Sequence, residues 1–258
     1  MSTDASPWVT ALRLSHDRVA ERVAALDADA LLMNSYCPGW DIAQVLSHLG
    51  SQAEMFILLL EAGVSGEDPP GQEGWKPIWD AWNSRTPDAK ARDSVAFTER
   101  FVSRLESLDA NQMSSFQVAA FGMELDLVGL LRLRLSEHAI HSWDIAVSFD
   151  PAALVAPESV DLLIDTLPTL AARVGKPNGP ATTLHVATSE PEREYALVTD
   201  GVRLEPWGEQ TAAGRLQLPA EALLRLVYGR LDATPAPSVE LDSAPITLDQ
   251  IRGIFPGF

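Results

Sequence analysis

Residues 125–147 read LDLVGLLRLRLSEHAIHSWDIAV, the most apolar helical run in the chain. Helical residues four apart stand one turn above another and about 40° apart around the axis. Glu137 and His141 therefore aim a carboxylate and an imidazole at one point. Leu130, Leu133, Glu137, Ile140, His141 and Asp144 fall along one face of this helix. An ionised carboxylate buried on such a face costs several kcal/mol unless it is paired or metal-bound, so Glu137 needs a cation. Spacing leaves two candidates open: a metal ion shared with His141, or an ion pair with Arg134, one turn earlier. Asp144, one turn beyond His141, suits acceptance of the other imidazole N–H, which would hold the ring in its ligating tautomer; it equally suits a solvated helix end. His138 points about 100° away from Glu137 and is not read as a ligand.

Upstream, Pro38-Gly39 marks a turn, and Asp41 with Gln44 three residues later predicts a capping box. The helix it opens carries Ile42, Val45, Leu46, Leu49, Ala53 and Phe56 inward, with His48 on the flank of that stripe. A third ligand from His48 completes a His/His/carboxylate set with positions left open for water or substrate. Such a set suits zinc, and with three open positions it suits ferrous iron. Zinc would act as a Lewis acid and lower the pKa of a bound thiol or water. His16 and His185 lack supporting partners and read as structural or exposed. The single cysteine, Cys37, excludes an internal disulfide and any multi-Cys zinc site. Packing explains most free cysteines. Its place before Pro38-Gly39-Trp40 keeps a substrate contact open, but no histidine follows at helical spacing to make it a nucleophile.

The fold class expected is α+β: a helical bundle over residues 1–150 and a smaller α+β domain over 151–258. Trp8, Leu12, Leu14, Val19, Val23 and Leu26 recur as an amphipathic helix requires. Residues 63–77 form a Gly/Pro-rich connection, and further helices are expected near 87–108 and 124–148. Trp79 and Trp82 share a helical face and read as a packing or lid cluster. Four such helices predict a four-helix bundle with its site among facing helices. After Pro151, a helix near 157–174 precedes ATTLHVAT, REYALVT and VRLEPW, which alternate as strands do, with Asp200-Gly201 as a turn. GRLQLP, AEALLRLVYGR, SVELD and TLDQIRGIF close the chain as strand, helix, strand and helix.

Thirty-six acidic against 19 basic residues give a net charge of −17. Such a surface repels phosphate backbones and anionic lipid, so no nucleic-acid or membrane partner is expected. No stretch reaches the roughly 18 to 20 apolar residues that span a bilayer. MSTDASPWVT lacks the features of a signal peptide, and a cytoplasmic monomer or homodimer is expected.

Cys37-Pro38-Gly39-Trp40-Asp41 followed by Val45-Leu46-Ser47-His48-Leu49 resembles the Pro-Gly-Trp…His-Leu signature of the mycothiol-dependent maleylpyruvate isomerase family, within the DinB/YfiT-like putative metalloenzyme superfamily. Arg132-Leu133-Arg134 through Glu137-His138-Ala139-Ile140-His141-Ser142-Trp143-Asp144 resembles its second signature. The resemblance implies a DinB-like four-helix bundle holding a divalent metal, usually zinc, on His48, Glu137 and His141, and a C-terminal domain resembling sterol-carrier folds. It places Trp40 and Arg134 with the cofactor and Asp144 with the catalytic machinery. It also implies that Arg230, in LLRLVYGR, binds a substrate carboxylate as a fork, although Arg230 equally suits a helix cap. It implies mycothiol as thiol cosubstrate and a small electrophilic substrate, in an S-transferase or thiol-assisted isomerase. The residues alone leave two other classes open: a non-catalytic binding module, and a hydrolase that uses bound water.

Overall fold

The computed structural model describes residues 4–231 and 238–257, and the chain divides into two compact units, Met1–Asp150 and Pro151–Phe258. The first unit runs α1 (Ser6–Ala24), α2 (Ala28–Leu31), α3 (Ile42–Ser65), α4 (Gln72–Asn83), α5 (Pro87–Glu106), α6 (Ala110–Ser115), β1 (Val118–Ala120), β2 (Met123–Leu125) and α7 (Leu127–Ala146). The four long helices close into a bundle: α1 packs on α5 and α7, and α3 packs on the same two. Leu12, Leu46, Leu59, Phe101, Leu105, Leu130 and Leu135 are among its fully buried side chains.

Each long helix of the site starts where a side chain satisfies its first backbone donors. Asp41 and Gln44 form the capping box of α3, and Asp126 accepts from Gly129 N at the start of α7. A Cβ at Gly50 would press on the Trp82 ring and stand 2.9 Å from Ser94 Cα, so α3 meets α5 this closely only at a glycine.

Several expectations change. α3 continues through Gly63 until Gly66, at φ 75°, ends it in the left-handed conformation. A further helix, α4, then begins inside the stretch read as a connection and runs on to Asn83. Trp75 and Trp82 of α4 are buried, and Trp82 Nε1 donates to Glu54 Oε2 at 2.7 Å, whereas Trp79 is 41% exposed. The packing role therefore belongs to two of the three tryptophans. The fourth bundle helix begins at Leu127 because residues 118–125 pair as a hairpin instead.

His138 is buried on a face of α7 about 100° from Glu137, its Nδ1 2.7 Å from Ser15 Oγ. Burial, with Arg134 adding to it, holds its pKa well below the ordinary imidazole range. In the unfolded chain an imidazole titrates near 6.5. Between those two values the unfolded chain binds a proton that the folded one refuses, so stability falls as pH drops below about 6.5. Unfolding free energies from urea curves between pH 7.5 and 5 are expected to show this loss, up to about 1.4 kcal/mol per pH unit from His138, and His138→Gln should reduce it. Parallel curves for the two proteins would refute the assignment.

The second unit runs α8 (Pro157–Leu163), a 3₁₀ turn (Ile164–Thr166), α9 (Leu167–Val174), β3 (Thr183–Ser189), β4 (Arg193–Val198), β5 (Arg203–Pro206), β6 (Gly214–Pro219), α10 (Ala220–Val227), β7 (Glu240–Asp242) and α11 (Leu248–Ile254). The sheet order is β5-β4-β3-β6-β7, with β3 and β6 parallel and the other pairs antiparallel. The central strands bury Leu184, Val186 and Leu216, while α10 packs on β3 and β6 and is buried along its whole length. Past its end, Gly229 takes φ 70° against the backbone of Pro256 and Gly257, where a Cβ has no room. No helix among the described residues is long and apolar enough to cross a membrane.

Candidate metal centre

A tight turn sets the approach to the site. In Cys37-Pro38-Gly39-Trp40, Trp40 N donates to Cys37 O at 3.1 Å, and Gly39 has φ 78°. Proline second and a positive-φ glycine third is the residue pattern of a type II turn. Ser35 steadies it by donating its hydroxyl to Trp40 O (2.9 Å) and accepting from Cys37 N (3.1 Å). Tyr36 N donates to Asp144 O at 3.2 Å, which ties the turn to a carbonyl near the end of α7. Trp40 is thereby laid over two imidazoles, with ring centroids 5.3 Å from His48 and 6.2 Å from His141.

Beneath that ring, α3 contributes His48 and α7 contributes Glu137 and His141. Glu137 Oε2 lies 3.0 Å from His48 Nε2 and 3.6 Å from His141 Nε2. The three donor atoms lie within 4.8 Å of one another. Zinc takes such ligands at about 2.0–2.2 Å, which puts donors of a tetrahedral site roughly 3.3 Å apart. The two measured separations bracket that figure, so the residues present fit a divalent cation. Side-chain exposure is 38% for Glu137 and 27% for His48, against 12% for His141 and none for Asp144. The centre is thus closed behind and open to solvent on the Glu137 side.

Behind His141, Nδ1 lies 2.8 Å from Asp144 Oδ2. Asp144 is fully buried, so the solvated helix end considered above does not apply. Because Asp144 accepts at Nδ1, Nε2 is the nitrogen left facing the centre. Burial opposes charging His141, yet its bonds to Asp144, Cys37 and Glu137 outweigh burial and raise its pKa well above the usual value. Without a cation, a proton therefore sits where a metal would bind, and metal uptake displaces it. Glu137 behaves conversely: burial would raise it, but hydrogen bonds with His141 and His48 hold it well below the usual carboxylate range. Burial lowers His48, favouring its neutral, ligating form.

Arg134 does not form the direct ion pair with Glu137 that spacing allowed. Its guanidinium turns toward α3 and α5, donating to Leu49 O (3.1 Å), Gln52 Oε1 (3.1 Å) and Thr98 Oγ1 (3.3 Å). It is fully buried, which lowers its pKa to about 10 and leaves it charged at neutral pH. Expected beside the cofactor, it instead acts through Gln52: with Oε1 held by Arg134, the amide NH₂ faces Glu137 Oε2 at 2.7 Å.

Gln52 is the site residue that sequence reasoning missed, and Cys37, read there as a packing residue with a substrate contact left open, has partners that reading did not foresee. Gln52 stands at i+4 from His48, the same spacing that flagged Glu137 and His141, so its signal was present. Cys37 packs within the bundle core beside Ile42, Leu46 and Ile145. Its thiol also donates to Asp144 Oδ2 at 3.0 Å and lies 3.7 Å from His141 Nδ1. Cys37, His141 and Asp144 form a second convergent group, built on the other imidazole nitrogen and on an enclosed carboxylate. It backs the open centre. His16 is buried against Glu99 at 2.8 Å, and His185 lies against Trp207 in the second unit. Arg230, also of that unit, is buried and donates Nη1 to Tyr228 O at 2.6 Å.

Residues 12–146 match the family profile described as the mycothiol maleylpyruvate isomerase N-terminal domain. A crystal structure of the mycothiol-dependent maleylpyruvate isomerase superposes with a TM-score of 0.68 at 15% identity, covering 94% of this chain and 96% of that one. A histidine-to-alanine mutant of that enzyme gives 0.66 at 15% identity over the same shares. At such identity the likeness is one of fold. YfiT from Bacillus subtilis, a four-helix bundle, gives 0.41 at 14% identity over 64% of this chain and 89% of that one. No curated protein matches the chain by sequence.

Proposed function

The chain belongs to the mycothiol maleylpyruvate isomerase N-terminal domain family, and on that premise we propose that it is a divalent-metal enzyme that uses mycothiol to attack an electrophilic carbon, as an S-transferase or thiol-assisted isomerase. The observation that carries this reading is the convergence of His48 Nε2, Glu137 Oε2 and His141 Nε2 on one solvent-open point. Three protein donors leave room for an exchangeable fourth, the arrangement of catalytic rather than structural zinc sites. A cation held there, zinc on this donor set, would lower the pKa of a bound thiol and supply its thiolate near neutral pH.

The chain's own groups do the rest. Asp144 and Cys37 fix the His141 ring, while Gln52, held by Arg134, fixes the Glu137 carboxylate. Trp40 covers both imidazoles and keeps water from that side. The thiol sulfur then bonds to the electrophilic carbon. In isomerisation, addition to a conjugated double bond moves its π pair onto the activating group, permits rotation, and returns the pair as the thiolate leaves; in transfer the adduct takes up the proton that the thiol gave up, and the new S–C bond is kept.

Elemental analysis is expected to find about one divalent metal per chain, and mycothiol should raise the melting temperature of the metal-loaded protein. Full thiol-dependent turnover by metal-stripped protein would overturn the proposal. Product formed without any thiol would make the enzyme a hydrolase instead.

A further inference from the structure

The face of α3 that carries His48 does not end at the metal centre. Residues 4, 7 and 11 positions further on turn to within about 40° of it. They are Gln52, Met55 and Leu59. Met55 and Leu59 stand about 10 and 16 Å along the axis from His48. Both line a cleft of about 800 Å³ whose other walls include Trp75 and Trp79 of α4 and the tip of the β1–β2 hairpin.

That tip is unusual. Ala120 pairs with Met123, so Phe121 and Gly122 alone make the turn, at φ 54° and 74°. Two positive φ values define a type I′ hairpin turn, whose first position favours Asn, Asp or Gly. A phenylalanine held there is strained, and strain of this kind gathers at binding sites. Phe121 is 52% exposed and Trp79 41% exposed, so two large aromatic rings of the cleft stand open to solvent. Among the described lining residues the only charged ones are Asp68 and Glu124, both carboxylates.

We propose that this cleft seats the substrate's apolar, ring-bearing portion, a portion without negative charge, and that the thiol binds elsewhere. The aromatic walls supply apolar contact, and the two carboxylates repel an anionic group placed between them. The link to turnover rests on the thiol-dependent reading above; binding in the cleft does not.

Two dyes with one ring system test it. N-phenyl-1-naphthylamine is uncharged, and 8-anilinonaphthalene-1-sulfonate adds a single sulfonate. The uncharged dye is expected to bind at least tenfold more tightly, equally in metal-loaded and metal-stripped protein. Trp79→Ala and Phe121→Ala should each weaken it about tenfold; both side chains are exposed enough to be replaced without unfolding the bundle, which far-ultraviolet circular dichroism checks. The double variant Asp68→Asn with Glu124→Gln should narrow the gap between the dyes. Saturating mycothiol should leave the uncharged dye bound. Equal binding of both dyes, indifference to the aromatic substitutions, an unchanged gap in the double variant, or displacement by mycothiol would each overturn the proposal. Because the dyes report on metal-free protein too, such a failure is distinguishable from a failure of the metal-enzyme reading, which metal content and thiol-dependent turnover decide.

Discussion

Replacing His48 or His141 by alanine is expected to weaken metal binding more than 100-fold and to lower thiol-dependent turnover by about three orders of magnitude, with the helices retained. Each variant removes one of the three donors, an imidazole beside Glu137 Oε2. A metal acting as Lewis acid supplies several kcal/mol of catalysis, and each 1.36 kcal/mol is tenfold in rate. Asp144→Asn gives the graded control. It leaves all three donors but blunts the carboxylate that orients His141, and loss of such a partner costs roughly 10- to 100-fold in metal affinity. The order of metal affinity should therefore be wild type, Asp144→Asn, then either histidine variant. Elemental analysis after dialysis, competition with a chelator and circular dichroism measure all of it. Histidine variants that keep full metal and full turnover would sink the centre.

Arg134→Ala is expected to be the most destabilising single substitution in the bundle, at about 3–5 kcal/mol. The guanidinium is wholly enclosed and reaches Leu49 O, Gln52 Oε1 and Thr98 Oγ1, tying α7 to α3 and α5. Truncation removes these three bonds, opens a cavity, and takes the buried positive charge from beside Glu137. For a unit of this size the melting temperature should fall by roughly 10 °C. Arg134→Lys keeps the charge but not the planar fork, so it should recover only part of the loss. The freed Gln52 amide should also lower metal affinity in both variants. An Arg134→Ala protein that melts with wild type would show that the three bonds contribute nothing net.

Much of this was legible in the chain because helical spacing is a strong local signal. Glu137 and His141 are four apart, Asp41 and Gln44 three apart, and each pair meets as helix geometry requires. His48 was legible from its position on the flank of an apolar stripe. The parts that escaped notice have physical reasons. Cys37 and Asp144 are 107 residues apart, and a turn rather than a repeat brings them together. Gln52 carries no charge to draw the eye, although its spacing was the right one. α4 hides behind Gly71, Gly74 and an internal Pro77, residues that ordinarily end a helix. The hairpin strands are three residues each, too short for alternation to register, and Phe121-Gly122 is not a usual turn pair.

His48 and Glu137 come from helices 89 residues apart in sequence. The donor set therefore cannot exist in a nascent chain until α7 has docked against α3, and capture of an ion would be a late event that reports on completed assembly. A bound ion would in turn act as a clasp between the first and second halves of the bundle, stabilising it by mass action with the logarithm of the free ion concentration. Cellular metal supply would then set how long the enzyme lasts as well as how fast it works.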